Sequence, residues 1–191
     1  MARPKQFDRD TAVHQAIDVF RAYGFAGTST EDLLDAMDIS RQSMYDTFGD
    51  KRGLYLEALR RYNAESISES IQTLSASPSP RAGLEAMLFK FARRASAGEL
   101  HCLGVSSISE FGRMDEGVCT LNDASGEVLM AAIANAAAEA RAKGEIAKDL
   151  DPKAVARYLV SLISGMKVSA RAGASPAELR SIATLGMRTL S

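Results

Sequence analysis

The sequence lacks several features that would place it among secreted or membrane proteins. Its only cysteines are Cys102 and Cys119, so no disulfide framework is expected, and no signal-peptide pattern is present. No apolar run reaches the roughly 18 residues that a membrane-spanning helix requires. These absences favour a cytoplasmic protein without a membrane partner.

Residue patterns for catalysis and metal binding are also missing. The only histidines are His14 and His101, and no H-E-x-x-H motif, glycine-rich phosphate loop or G-x-S-x-G elbow occurs. The paired carboxylates fall in segments expected to be loops, where nothing would preorganise them for acid–base chemistry. We therefore expect no enzyme, no catalytic residue, no cofactor and no metal site.

What the sequence does contain is helical periodicity. Only 5 of the 191 residues are proline, and apolar residues recur at spacings of three and four. No run of alternating β-branched residues argues for a sheet. The pattern predicts an all-α fold of about nine helices, near 8–23, 30–37, 41–47, 51–74, 82–97, 100–111, 116–143, 152–172 and 176–190.

Capping residues give the start of several of these helices. The spacing of a capping box occurs at Ser175 with Glu178, and near residue 30 either at Ser29 with Asp32 or at Thr28 with Glu31. Ser40, Asp50 and the Asp151-Pro152 pair precede three further helices. Gly24 can end the first helix because glycine adopts the left-handed backbone of a helix C-terminus.

The segment 30–47 carries the clearest functional signal. Two short helices are joined by the turn Asp38-Ile39-Ser40, and the second helix places Met44 and Phe48 on one face. A corner buried in a core is the alternative, but the opposite face is too polar to be useful in packing. A basic arm with Arg3 and Lys5 lies upstream. This pattern favours a helix that enters the major groove of DNA. The polar face consists of Arg41, Gln42, Ser43, Tyr45, Asp46 and Thr47.

The polar side chains suit different parts of a DNA duplex. Arg41 and Gln42 have donors for the edges of guanine and adenine. Tyr45 suits phosphates, as do Ser40, Lys51 and Arg52 at helix ends. Asp46 would have to accept from cytosine or pair with a neighbouring base-reading side chain.

Net charge gives no independent support for DNA binding. The chain carries a formal charge of −1, and its first 62 residues hold nine basic and ten acidic side chains. Any attraction to phosphates must therefore come from local placement of the basic groups.

Residues 8–56 resemble the DNA-binding domain of TetR-type transcriptional regulators. The resemblance rests on Phe20 to Phe25, Thr28 to Thr30, Leu33-Leu34, Asp38-Ile39-Ser40, Met44-Tyr45-Asp46-Thr47-Phe48 and Lys51, without gaps. Asp38 replaces the usual glycine of the turn, and aspartate tolerates positive φ better than most residues. The resemblance implies that Thr30, Tyr45 and Lys51 contact phosphates, whereas Arg41, Gln42, Ser43 and Thr47 lie near base edges.

The resemblance also implies how the rest of the chain is organised. Residues 1–50 would form a three-helix helix-turn-helix domain, and residues 51–191 a larger helical domain for effector binding and dimerisation. The adjacent apolar stripes of 152–172 and 176–190 suit a homodimer, although both could pack within one chain. A twofold dimer would bind a palindromic double-stranded DNA operator. Repression relieved by a small-molecule effector is the implied function.

Candidate effector-pocket residues are less well defined by the sequence. They are Phe91, Cys102, Phe111, Met114 and Met130, but Phe and Met are more often ordinary core residues. Cys102 follows His101, and an imidazole close to a thiol lowers the pKa of that thiol. The two residues therefore suggest an alternative to a small-molecule effector, in which Cys102 senses oxidants or electrophiles with Cys119 as a possible partner. The remaining alternative is a helical interaction adaptor that does not bind DNA.

Overall fold

The computed structural model describes residues 7–96 and 101–191, and the described residues form nine α-helices and no strand. Arg3 and Lys5, expected to contact DNA, lie outside the described residues. The all-α fold and the helix count agree with the sequence prediction. The helices are α1 (Arg9–Gly27), α2 (Thr30–Met37), α3 (Arg41–Phe48), α4 (Lys51–Ser75), α5 (Pro80–Ser96), α6 (Leu103–Phe111), α7 (Glu116–Ala142), α8 (Pro152–Arg171) and α9 (Pro176–Arg188).

The predicted caps start the helices as expected. Capping boxes join Ser29 to Asp32 at α2 and Ser175 to Glu178 at α9. Ser40 caps α3, and the backbone N–H of Gly53 donates to Asp50 at 2.7 Å before α4. Each of these caps satisfies backbone N–H groups that would otherwise have no partner in the first helical turn.

The end of α1 differs from the prediction. The helix was expected to stop between Tyr23 and Phe25, but it kinks at Gly24 and continues for one more turn to Gly27. Gly24 has φ +73° and ψ 179°, a conformation that is almost exclusive to glycine. The extra turn is capped by Glu110 of α6, a residue distant in sequence.

The chain divides into two compact units. Unit 1 comprises Met1–Ala64 and Cys102–Asn122, and unit 2 comprises Glu65–His101 and Asp123–Ser191. The long helices α4 and α7 contribute residues to both units. The functional boundary after residue 50 stays a prediction.

Each unit has its own apolar core. In unit 1, Phe20, Leu33, Met44, Leu54 and Leu59 are fully buried. In unit 2 the core is formed by α5, α7, α8 and α9, with Leu84, Leu88, Ile133, Leu159 and Leu179 fully buried. The two cores account for the apolar periodicity of the sequence.

Candidate nucleic-acid interface

Helix α3 is anchored by its apolar face and exposes its polar face, as the sequence predicted. Met44 is fully buried and Phe48 is 8% exposed, both in the core of unit 1. Ser43 and Thr47 lie at the edges of that face and are partly buried. The outward residues Arg41, Gln42, Tyr45 and Asp46 are exposed. A two-turn helix held in this way can present these side chains to a groove.

The turn between α2 and α3 fixes how the two helices meet. Asp38 adopts the left-handed conformation, with φ 50° and ψ 45°, and its N–H donates to carbonyl oxygens of α2. The N–H of Ile39 donates to the carbonyl of Leu34 at 3.3 Å. The Ser40 hydroxyl then accepts from the N–H of Ser43 at 3.1 Å and begins α3. Aspartate therefore takes the place of a turn glycine without leaving the helix end unsatisfied.

The N-terminus of α2 is closed by its capping box. The Ser29 hydroxyl accepts from the Asp32 N–H at 3.0 Å, and the Asp32 carboxylate accepts from the Ser29 N–H at 2.8 Å. Hydrogen bonds from the side chain and then the backbone of Ser29 hold the pKa of Asp32 below its usual value of 3.8. Thr30, expected to contact phosphate, is the first residue of α2 and is partly buried.

Both expected base-reading side chains are in contact with carboxylates. The Arg41 guanidinium forms an ion pair with Glu31 of α2. The Gln42 amide nitrogen donates to Asp46 at 2.7 Å. The sequence had left a pairing between Asp46 and a base-reading neighbour open, and Gln42 is that neighbour. The contact between Arg41 and Glu31 was not anticipated.

Lys51 has a structural role that the sequence did not suggest. Its ammonium donates to the carbonyl of Thr28 at 2.5 Å and lies 4.4 Å from the centre of the Phe25 ring. These contacts hold the link between α1 and α2 against the start of α4. An ammonium group retains further N–H donors, so phosphate binding by Lys51 stays a prediction.

Helix α6 is attached to the last turn of α1 by Glu110. The Glu110 carboxylate accepts from the N–H groups of Phe25 at 2.8 Å and Ala26 at 3.2 Å. Gly24 permits this approach, because a Cβ added there would lie 2.1 Å from a Glu110 carboxylate oxygen. No local sequence signal announces a contact between residues 85 positions apart.

A second contact joins the start of α4 to the segment between α6 and α7. Arg52 donates through two nitrogens to the Asp115 carboxylate, at 2.8 and 2.9 Å. The hydrogen bond from Arg52, followed by that from the Val118 N–H, lowers the pKa of Asp115. Arg52, expected to bind phosphate, is therefore already engaged by a carboxylate.

The five expected pocket residues lie in different parts of the chain. Phe91 and Met130 are partly buried against the core of unit 2. Cys102, Phe111 and Met114 belong to unit 1, where the Phe111 ring lies 5.3 Å from that of Phe25 within an aromatic cluster. Met114 is 89% exposed in the single chain, which argues against its assignment to the effector pocket, an assignment that stays a prediction. It lies two residues beyond Gly112, the C-cap of α6.

Metal sites and membrane-spanning helices were also sought among the described residues. No group of three or more His, Cys, Asp or Glu side chains in residues 7–96 and 101–191 is arranged to hold a metal ion. Over the same part of the chain, no helix is long and apolar enough to cross a membrane.

Comparison with known proteins covers both halves of the chain. Residues 12–58 match the model of the bacterial regulatory proteins of the tetR family, and residues 82–185 match that of the tetracyclin repressor-like C-terminal domain. The uncharacterized HTH-type transcriptional regulator YezE of Bacillus subtilis (strain 168) is 32% identical over 166 residues, 83% of this chain and 84% of that protein. The HTH-type transcriptional repressor ComR of Escherichia coli (strain K12) is 28% identical over 97% of this chain and 90% of its own length.

A solved structure supports the same assignment. A cysteine mutant of the TetR family transcriptional regulator CifR, complexed with 26 bp of double-strand operator DNA, is 28% identical. It superposes with a TM-score of 0.86 and covers 100% of both chains. These relatives are regulators rather than enzymes. The matches to both halves of the chain show that this protein belongs to the TetR family of DNA-binding transcriptional regulators.

Proposed function

We propose that this protein is a cytoplasmic homodimeric repressor that binds a palindromic operator and is released from it by a small-molecule effector. The observation that supports this proposal most directly is the burial pattern of α3. Met44 and Phe48 are buried, whereas Arg41, Gln42 and Tyr45 are exposed. The name of ComR and the operator complex of CifR support repression and operator binding for relatives. The proposed DNA contacts are Arg3, Lys5, Thr30, Ser40, Arg41, Gln42, Ser43, Tyr45, Thr47 and Lys51.

Within this set, the proposed roles differ by chemistry. Arg41 and Gln42 read base edges, with Ser43 and Thr47 close to them. Thr30, Ser40, Tyr45 and Lys51 contact phosphates, and the arm with Arg3 and Lys5 adds positive charge. A repressor of this type has no catalytic step, so no residue is assigned to catalysis.

The dimer would form through α8 and α9. Their surface leaves apolar side chains uncovered, with Leu185 64%, Val168 55% and Tyr158 38% exposed. The two helices approach closely at Gly186, where an added Cβ would lie 2.3 Å from Leu162. Uncovered apolar side chains on a tightly packed helix pair fit a self-complementary interface.

DNA binding should be tested by selecting operators from a random DNA pool and then measuring binding to single-base variants. Arg41→Ala should cost about 1–3 kcal/mol and relax one operator position, whereas Lys51→Ala should weaken binding to all sequences alike. Unfolding of both variants must be measured, because Lys51 also contacts Thr28. Equal binding of selected and scrambled DNA by the unmodified protein would refute base reading.

The dimer should be tested by sedimentation with Leu185→Glu. The matched control is Val128→Glu, because Val128 is 50% exposed on α7 of the same unit, outside the proposed interface. The first variant should become monomeric and lose operator binding, whereas the control should do neither. Dissociation by both variants, or by neither, would contradict the assignment to α8 and α9.

Thiol sensing by Cys102 is a second candidate that one observation favours. Cys102 is the N-cap residue of α6, is partly exposed, and makes no side-chain cap hydrogen bond. The N-terminal end of a helix favours a thiolate over a thiol. Cys119 is buried, and its thiol lies 3.6 Å from the carbonyl oxygen of Gly112. If peroxide and thiol-blocking reagents leave DNA binding unchanged, the candidate fails; if they change it, Cys102→Ser should abolish the response.

A further inference from the structure

The surface around α3 carries more negative than positive charge. Residues 28–52 contain six carboxylates against three basic side chains, a net charge of −3. A DNA-reading surface normally gains affinity from basic groups that neutralise phosphates, so this excess of carboxylates works against non-specific binding. The carboxylates are Glu31, Asp32, Asp35, Asp38, Asp46 and Asp50, and the basic residues are Arg41, Lys51 and Arg52.

Two of these carboxylates contact the two side chains proposed to read bases. Glu31 reaches across from the first turn of α2 to Arg41 at the first position of α3. Asp46 lies one turn beyond Gln42 on the same face of α3. The contacts therefore come from different elements but converge on adjacent reading residues.

The ion pair between Glu31 and Arg41 is exposed, with 66% and 55% of the two side chains accessible. Exposed pairs of this kind contribute little to folding stability. The pair does restrict the rotamers of a long side chain before it meets DNA, which lowers the entropic cost of ordering it on binding. One terminal nitrogen contacts Glu31, and the other N–H groups of the planar fork stay available for the O6 and N7 acceptors of guanine.

The contact between Gln42 and Asp46 fixes the orientation of an amide. A carboxylate only accepts hydrogen bonds, so Asp46 selects the nitrogen of the Gln42 amide, at 2.7 Å. The second N–H of that nitrogen and the amide oxygen then remain for N7 and the exocyclic amine of adenine. Without Asp46, both flipped orientations of the amide would be accessible.

We propose that Glu31 and Asp46 are the positioning residues for operator specificity, Glu31 by orienting Arg41 and Asp46 by orienting Gln42. Their charge also lowers the affinity for DNA of any sequence, so tight binding depends on the hydrogen bonds that the oriented donors make with matching bases. The inference rests on the proposed reading of bases by α3. It identifies the residues that act through the readers rather than on the DNA itself.

The test compares Glu31→Ala with Asp35→Ala. Asp35 lies one turn further along the exposed face of α2, so its replacement removes the same charge without touching Arg41. Binding of each variant is measured on the selected operator and on a full set of single-base variants, at two salt concentrations. Thermal unfolding of each variant confirms that α2 is intact.

The expected result is a change in base preference for Glu31→Ala but not for Asp35→Ala. Discrimination at the base pair read by Arg41 should fall about five- to tenfold, whereas Asp35→Ala should strengthen binding to all sequences by a similar factor and leave the preferences unchanged. The double variant Arg41→Ala, Glu31→Ala should lose no more base preference than Arg41→Ala loses alone. Asp46→Ala should relax a different position, the one that Gln42→Ala relaxes.

Two outcomes would overturn the proposal in distinguishable ways. If Glu31→Ala and Asp35→Ala shift binding to all operators equally, Glu31 acts only through its charge and the positioning role is refuted. If the unmodified protein does not distinguish its selected operator from scrambled DNA, the proposed function itself fails. In that case the variants have no preference to lose.

Discussion

Replacing Gly24 with alanine should destabilise unit 1 and release Glu110 from the end of α1. Gly24 has φ +73° and ψ 179°, and a Cβ there would lie 2.1 Å from a carboxylate oxygen of Glu110. The carboxylate must move away to relieve this overlap. It then gives up the hydrogen bonds that it accepts from the N–H groups of Phe25 and Ala26.

The expected magnitude has two parts. A non-glycine residue in this backbone region costs about 1–3 kcal/mol. Loss of the Glu110 cap costs about 1 kcal/mol, below the usual range for hydrogen bonds to a charged group, because Glu110 is exposed and water can replace it. Gly24→Ala should therefore cost about 2–4 kcal/mol, and Glu110→Ala alone about 1 kcal/mol.

The double variant separates these contributions. Once Gly24→Ala has displaced the carboxylate, Glu110→Ala removes nothing further, so the double variant should match Gly24→Ala within about 0.5 kcal/mol. Urea unfolding followed by circular dichroism gives the free energies of unfolding for all four proteins. Amide exchange at Phe25 and Ala26 reports the cap directly and should accelerate in every variant. A double variant whose loss equals the sum of the single losses would refute the displacement of Glu110.

Three further predictions concern local contacts in unit 1. Ser29→Ala should lower the free energy of unfolding by about 1 kcal/mol in urea titration, because the capping box of α2 loses its hydroxyl. Tyr55→Phe should leave the thermal midpoint unchanged or raise it, because the Tyr55 hydroxyl is buried without a hydrogen-bond partner among the described residues. The pKa of Asp115 lies below its usual 3.8, held there mainly by Arg52. Its contribution to the free energy of unfolding is therefore complete above about pH 5 and is lost as the pH falls through 3.8 to the lowered pKa. Asp115→Asn should flatten the acid limb of stability, measured by unfolding between about pH 6 and pH 2.

The features that the sequence predicted well are those set by neighbouring residues. A cap needs only a serine or aspartate a few positions before the N–H group that it accepts from, so the starts of α2, α3 and α9 were predictable. The left-handed Asp38 agrees with the resemblance, in which a glycine usually occupies this turn position, and with the tolerance of aspartate for positive φ. The two faces of α3 followed from helical periodicity.

Contacts between distant residues were not predictable in this way. Glu110 caps a turn 85 positions away, and its presence explains why α1 continues past Gly24 instead of ending there. The pair of Arg41 and Glu31 depends on how α2 and α3 cross, which periodicity does not specify. Lys51 has a sequence position typical of a phosphate contact, yet it also holds the Thr28 carbonyl.

The pocket assignments show a different limit, because residue type does not separate lining from core. Phe111 packs with Phe25 and Tyr55 in an aromatic cluster, whereas Met114, three residues later, is almost fully exposed. Both are apolar residues near the end of α6, but the helix ends at Gly112 between them, and the two side chains lie in different environments.

The geometry of α6 links the second candidate function to the α1–α2 connection. Cys102 occupies the N-cap position of this helix, and the Glu110 carboxylate near its other end accepts hydrogen bonds from the N–H groups of Phe25 and Ala26. The two residues are separated by about 12 Å along the helix axis, which a rigid two-turn helix spans without a hinge. A modification of Cys102 that shifts α6 along its axis must therefore stretch the Glu110 hydrogen bonds, because these bonds tolerate only a few tenths of an ångström. Amide exchange at Phe25 and Ala26 after thiol modification would reveal that shift even where operator binding is unchanged.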